Sequence, residues 1–106
     1  MPALAFPTGA ATGAPIAIGT SDTTLHTTRA GKKSEVSILV FNNDAGADYN
    51  VTLKIGGTAI GATKIEKLAG PYLVLPPIVL DAGLAITATT TIATKLYALV
   101  QVAEYD

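Results

Sequence analysis

The chain has 106 residues, of which 49% are hydrophobic and only 14% are charged, and its formal net charge at pH 7 is −1. This length predicts a single domain that buries enough surface to fold without a metal or a disulfide, and the chain contains no cysteine. Its few basic residues are scattered, which argues against nucleic acid as a partner. A membrane is not expected as a partner either, because the longest apolar run is broken by two prolines, whereas a spanning helix needs roughly 20 consecutive apolar residues. So low a charge density suits a protein that is held in an assembly.

Residues 1–21 carry no charge and contain three prolines. We predict that they form an extended N-terminal arm, followed by a β-sandwich domain over residues 22–106. The arm has too few large apolar side chains to offset the entropy lost on ordering, so it is expected to order only when these side chains enter pockets on a partner. A frayed terminus is the alternative. The four large apolar residues proposed as anchors are Leu4, Phe6, Ile16 and Ile18.

Two further expectations follow for this segment. Deleting residues 2–20 is expected to leave the sandwich folded, because the strand pattern begins near Thr23. The first basic residue is Arg29, so the positive start of a secretory signal peptide is missing and export by that route is not expected.

From Thr23 onward, β-branched and aromatic residues dominate and turn residues recur about every ten positions. Residues 23–28 alternate as a first strand, and Gly31 marks the turn that follows. Residues 35–43 have apolar side chains on both faces, which predicts a central strand covered on both sides. One face carries Val36, Ile38 and Val40, and the other carries Leu39 and Phe41.

The clearest strand pattern covers residues 49–55, where apolar and polar side chains alternate strictly. Gly56-Gly57 fits a two-residue hairpin turn of the primed type, which needs positive φ. A short returning strand follows, and residues 63–70 are compatible with one helical turn or with a strand. The buried face of the first strand is predicted to consist of Tyr49, Val51, Leu53 and Ile55.

The segment 72–80 has the sequence YLVLPPIVL. Adjacent prolines are tolerated only at a strand edge, a bulge or a bend, so we predict two short buried strands joined by a corner at Pro76-Pro77. A turn at residues 81–83 leads into a threonine-rich strand, and residues 95–105 form a last strand with Leu96, Ala98, Val100 and Val102 facing inward. The whole pattern predicts an all-β fold, a two-layer antiparallel β-sandwich of the jelly-roll type.

Ionisable residues do not cluster in the sequence, which contains one histidine. A nucleophile–histidine–acid set could in principle assemble from Ser21 or Ser34, His26 and a distant aspartate, but no nucleophile elbow supports it. We therefore predict that the protein is not an enzyme and has no catalytic residues.

Two loops resemble ligand-binding motifs only superficially. Residues 42–48 offer oxygen atoms at alternating spacing, but Gly46 is one position early for an EF-hand and Leu53 stands where the bidentate glutamate should be. The turn at residues 29–34 lacks the first glycine of a phosphate-binding loop, a position held by His26. No cofactor and no metal ion are expected.

Two stretches carry a family resemblance: AGKKSEVSILVFNN at residues 30–43 and PYLVLPPIVLDAGLAITAT at residues 71–89. They resemble small virion structural proteins of tailed bacteriophages, which implies a β-sandwich without enzymatic activity that decorates or cements a capsid. The resemblance assigns conformational roles to the matching glycines and prolines and transfers no catalytic residue. Arg29 stands where a proline usually precedes the Ala-Gly pair, which makes it a candidate contact charge.

The resemblance implies a non-enzymatic decoration or cement protein that binds the assembled lattice of the major capsid protein. We expect it on the outer surface of the virion, after synthesis in the host cytoplasm, as a homo-oligomer with a trimer favoured. A component of the neck, collar or tail is the first alternative. A carbohydrate-binding module is the second, with Tyr72, Tyr97 and Tyr105 as candidates for stacking on sugars. The predicted partner contacts are Leu4, Phe6, Ile16, Ile18, Arg29 and Lys32.

Overall fold

A computed structural model describes residues 9–68 and 70–105, and the regular secondary structure in this part of the chain is entirely β-strand. No helix in the described residues is long and apolar enough to cross a membrane. The strands are β1 (Gly9–Thr12), β2 (Ile16–Ala17), β3 (Thr23–Thr27), β4 (Lys33–Asn42), β5 (Tyr49–Ile55), β6 (Thr58–Ile65), β7 (Tyr72–Leu80), β8 (Ala85–Thr90) and β9 (Leu96–Tyr105).

The strands form two antiparallel sheets that pack face to face. Sheet A has the order β1-β9-β4-β7, with β2 also paired to β9, and sheet B has the order β3-β8-β5-β6. Because β1 and β2 occupy one edge position, each sheet has four strand positions. From β2 onward the chain crosses between the sheets at almost every connection, which is the order of a jelly roll. The predicted two-layer β-sandwich is confirmed.

The core lies between the inner faces of the two sheets. On β4 the side chains of Val36, Ile38 and Val40 are fully buried. The predicted buried face of β5 is confirmed, since Tyr49, Val51 and Leu53 are buried and Ile55 packs against the core while remaining half-buried. The remaining large members of the core are Ile18, Leu25, Ile65, Leu75, Leu80, Ile86, Leu96 and Val100.

The β5–β6 connection is the predicted hairpin, and Gly56 and Gly57 both have positive φ, at 57° and 83°. β6 is longer than the short returning strand expected from the sequence and continues to Ile65. The segment 63–70 therefore begins as strand and continues as a turn, and no helical turn forms in its described residues.

The predicted corner at Pro76-Pro77 is wrong: β7 is one continuous strand at the edge of sheet A. Its pairing with β4 shifts at the prolines, because Val36 faces Ile78 while Ile38 faces Leu75. β7 thus has one extra residue in this interval, a bulge that the two prolines occupy. At an edge, the donors that proline lacks are not needed by a neighbouring strand, so the bulge absorbs the prolines without a break.

The described part of the N-terminal segment belongs to sheet A. β1 pairs with residues 101–104 of β9, and β2 pairs with Tyr97 and Ala98. Ile18 is 0% exposed, and its N–H donates to the carbonyl oxygen of Leu96 at 2.9 Å. This differs from the expectation of a partner anchor, because apolar residues that are isolated in the sequence can still complete a core built by other strands. Leu4 and Phe6 lie outside the described residues.

We predict that Ile18→Ala destabilises the sandwich by about 2–5 kcal/mol, because it removes most of a fully buried side chain and leaves a cavity. Urea denaturation at neutral pH measures the change. Thr20→Ala, at an exposed position two residues away, is the control and should change stability by less than about 0.5 kcal/mol. A loss below about 1 kcal/mol for Ile18→Ala would instead support a segment that is dispensable for folding.

Candidate functional site

The outer face of sheet A carries a continuous set of apolar side chains. Across the strands, Leu39 of β4 faces Leu99 of β9 on one side and Leu73 of β7 on the other. In the next row Phe41 faces Tyr97, and their rings stack with centroids 5.4 Å apart and planes inclined by 12°. We call these five residues the apolar face.

The apolar face is partly exposed to solvent in the described part of the structure. Leu73 is 55% exposed, and the other four side chains are half-buried by one another. The adjoining row is polar but uncharged, since Ser37 Oγ donates to Gln101 Oε1 at 3.0 Å. β4 places two charged residues on this side of the sheet, Lys33 and Glu35. They lie at the end of β4 that is distant from Phe41.

The outer face of sheet B has a different chemistry. Thr24 faces Thr87, and Thr52 faces Thr89, so hydroxyl groups line adjacent strands. Thr87 also faces Lys54, whose Nζ lies 3.1 Å from Asp22 Oδ1. We call Thr24, Thr52, Thr87 and Thr89 the threonine face. The sandwich is therefore two-sided, with an apolar outer face on one sheet and a hydroxyl-rich outer face on the other.

One end of the sandwich holds a polar cluster between the two sheets. His26 Nε2 lies 3.0 Å from Ser34 Oγ, and Ser34 faces Glu104 across the β4–β9 ladder. Arg29 forms a bidentate ion pair with Glu104, with Nε donating to Oε2 at 2.8 Å. This pair is a charge-assisted fork that covers the end of the cluster.

The pKa directions in this cluster follow from its contacts. The hydrogen bond from Arg29 is the largest cause that lowers the pKa of Glu104, and the same bond raises the pKa of Arg29. Burial lowers the pKa of His26 from its ordinary value, and the charge of Glu104 opposes this only in part. His26 is therefore neutral in the folded protein near pH 7.

The His26–Ser34 pair brings together two of the residues considered for a catalytic set, but it cannot work as a nucleophile and base. Ser34 is 0% exposed, so a substrate cannot reach its hydroxyl group. The nearby carboxylate of Glu104 is held by Arg29. This geometry serves the fold, because the hydrogen bond joins β3 of sheet B to β4 of sheet A.

The loop at residues 42–48 is held together by its own oxygen atoms. Asn42 Oδ1 accepts from the Asp44 N–H, and Asp44 Oδ1 accepts from the Gly46 N–H, each at 2.8 Å. Asp48 Oδ1 accepts from the Lys67 N–H at 2.8 Å. In the described residues no group of three or more potential metal-ligating side chains of His, Cys, Asp or Glu comes together.

The predicted contact residues fall in three different environments. Ile18 lies in the core and Ile16 packs against it, so Ile18 has no surface to offer a partner. Arg29 and Lys32 come together in the β3–β4 turn, where the Lys32 N–H donates to the Arg29 carbonyl oxygen at 3.2 Å. The charge of Lys32 also contributes to the lowered pKa of Glu104.

Sequence reasoning missed the apolar face. It predicted that the strand carrying Leu39 and Phe41 is covered on both sides, whereas the structure leaves these two side chains partly exposed. A signal was present in the sequence: β9 has the same double alternation, with Tyr97 and Leu99 between inward residues. Two central strands with apolar residues on both faces indicate either a third layer or an exposed apolar surface.

No protein-family model matches the chain, and no curated protein matches it.

We predict that the folded protein loses stability as the pH falls from about 8 to about 5.5, because protonation of His26 is easier in the unfolded chain, where its pKa has the ordinary value of about 6.5. Because the pKa of His26 is lower in the folded protein than in the unfolded chain, its contribution to the free energy of unfolding is fully present above the unfolded pKa. That contribution is lost as the pH falls through the folded pKa. Urea denaturation at several pH values measures it. His26→Gln is the control, since its amide can still bond Ser34 and does not titrate, and an equal loss in both proteins would contradict the assignment.

Proposed function

We propose that this chain is a non-enzymatic structural protein of a tailed-bacteriophage virion, a decoration or cement protein that binds the assembled lattice of the major capsid protein. The observation that carries the proposal is the two-sidedness of the sandwich. An apolar outer face on sheet A suits burial against a protein shell, and a threonine face on sheet B suits water. A protein that coats a shell needs one face that binds the shell and another face that water solvates.

The family resemblance supports the same assignment from the sequence side. The two stretches that carry it, residues 30–43 and 71–89, contain the whole of β4 and β7 and all of β8 except its last residue, Thr90. Leu39, Phe41 and Leu73 of the apolar face come from these stretches.

In this proposal the protein attaches to the shell by non-covalent binding alone. Burying apolar surface against the shell contributes roughly 25 cal/mol per Å² of apolar area removed from water. A ligand that binds the assembled lattice and not free capsid subunits shifts the assembly equilibrium toward the shell. Several linked copies on one shell would add effective concentration. Leu4 and Phe6 remain proposed contacts, and Arg29 and Lys32 remain proposed charges at the rim.

A place in the neck, collar or tail uses the same surface on a different ring of subunits. The carbohydrate-binding alternative needs aromatic rings with a free face for the sugar. It is less well supported, because one face of the Tyr97 ring is already taken by Phe41.

We predict that Leu73→Asp weakens binding to shells lacking this protein at least about tenfold, because it places a charge in an apolar interface. Leu73 is 55% exposed and lies on an edge strand, so the fold should tolerate the change. Co-sedimentation with purified shells measures binding. Thr24→Asp is the matched control, at an exposed edge position of the threonine face, and should bind as the unchanged protein does. Equal binding by both variants would move the contact away from the apolar face.

Copy number in purified virions separates the structural alternatives. Quantitative mass spectrometry should find hundreds of copies per particle for a decoration protein, because each symmetric lattice position binds one. About a dozen copies would indicate a neck or tail ring. Absence from virions would contradict the proposal.

A further inference from the structure

The β6–β7 connection presents an exposed leucine in an unusual backbone conformation. Leu68 has φ of 48° and is 67% exposed. Two hydrogen bonds fix the turn: the Leu68 N–H donates to the Asp44 carbonyl oxygen at 3.0 Å, and the Lys67 N–H donates to Asp48 Oδ1 at 2.8 Å. Glycine or asparagine adopts this left-handed conformation at lower cost than leucine. The turn itself therefore gives no reason for a leucine, and the side chain stands as a fixed apolar projection.

The same side of the sandwich contains an opening between the sheets that is lined mainly by apolar side chains. β6 and β7 are the edge strands of sheet B and sheet A on this side, and a cavity of about 240 Å³ lies between them. Its floor is Leu53 of the core, and a Cβ added at Gly61 would meet no atom within 4 Å. We call this cavity the side slot; its lining has no charged residue and consists of Leu53, Ile60, Gly61, Thr63, Val74, Leu75 and Pro76.

We propose that Leu68 of one copy inserts into the side slot of a second copy, and that the second copy returns the same contact. Leu68 lies in the connection between β6 and β7, so the projection and the slot belong to one side of the molecule. A two-fold axis across this side makes both contacts at once and closes the assembly as a dimer. The expected oligomer is thus a dimer and not the trimer favoured from the sequence.

The charges next to the two features support a second copy as the occupant. In an antiparallel alignment of the two β6 edges, each step forward along one copy is a step back along the other. A two-fold axis that passes Ile65, the last residue of β6, therefore brings the turn that holds Leu68 toward Gly61 and Thr63 of the other copy, and Glu66 toward Lys64 of that copy. Both side chains are exposed. Lys64 Nζ lies 3.4 Å from Asp48 Oδ2 of its own copy, and Glu66 of the second copy would join this ion pair. Two such groups of opposite charge flank the contact and favour this orientation over a parallel one.

Sedimentation equilibrium of the full chain tests the proposal with two variants. Leu68→Gly removes the projection and suits the positive φ, so folding should be unimpaired. Gly61→Leu fills the side slot from a position with free space and without positive φ. We expect a dimer for the unchanged chain and a dissociation constant raised at least about 100-fold in each variant. Ile92→Thr, which removes a 48% exposed apolar residue from the β8–β9 loop, is the control and should remain dimeric.

Mixing the two variants gives a sharper readout. Leu68→Gly keeps the slot and Gly61→Leu keeps the projection, so a mixed pair retains one of the two contacts and should associate more strongly than either variant alone. A monomeric unchanged chain, dimers of Leu68→Gly, or a mixture no more associated than its components would each overturn the proposal. The measurement needs no shells, so its result is independent of the proposed attachment to a capsid.

Discussion

The ladder between β4 and β9 is the constraint on which the rest of the molecule depends. It runs without a register shift from Lys33 facing Tyr105 to Asn42 facing Leu96. Because side chains alternate between the two sides of a strand, this one register decides which residues enter the core and which form the apolar face. A slip by one residue would exchange the two sets. It also sets Ser34 opposite Glu104, and so locates the polar cluster at the end of the sandwich.

Several polar side chains of the described residues form hydrogen bonds and ion pairs that stabilise this arrangement of strands. Asp44 and Asp48 accept backbone hydrogen bonds that hold loops, and Arg29 secures Glu104 over the His26–Ser34 contact. In the proposed attachment to a shell, recognition would depend on shape and apolar area, and such contacts are less sensitive to salt than contacts that depend on exposed charge pairs.

The sequence was most informative where one face of a strand is buried and the other is exposed to solvent. The strict alternation in residues 49–55 identified β5 and its inward face, because burial on one side leaves a pattern with period two. The apolar residues on both faces of β4 and β9 indicated either a third layer or an exposed surface, and the pattern could not decide which of the two lies over Leu39 and Phe41. Ile18 has no periodic neighbours, and its burial depends on strands distant in the chain. The side slot lies between the edge strands of the two sheets, a relation that no local pattern records.

The jelly-roll order has a consequence for how the chain reaches this structure. β9 lies between β4 and the β1–β2 edge, yet it follows β5, β6, β7 and β8 in the chain. During synthesis, sheet A therefore lacks a central strand until nearly all of the sandwich has left the ribosome. Pairing between strands so far apart in sequence is slow, because the loop-closure entropy is lost before the contacts form. In that interval the apolar inner side of β4 is uncovered, and aggregation competes with folding.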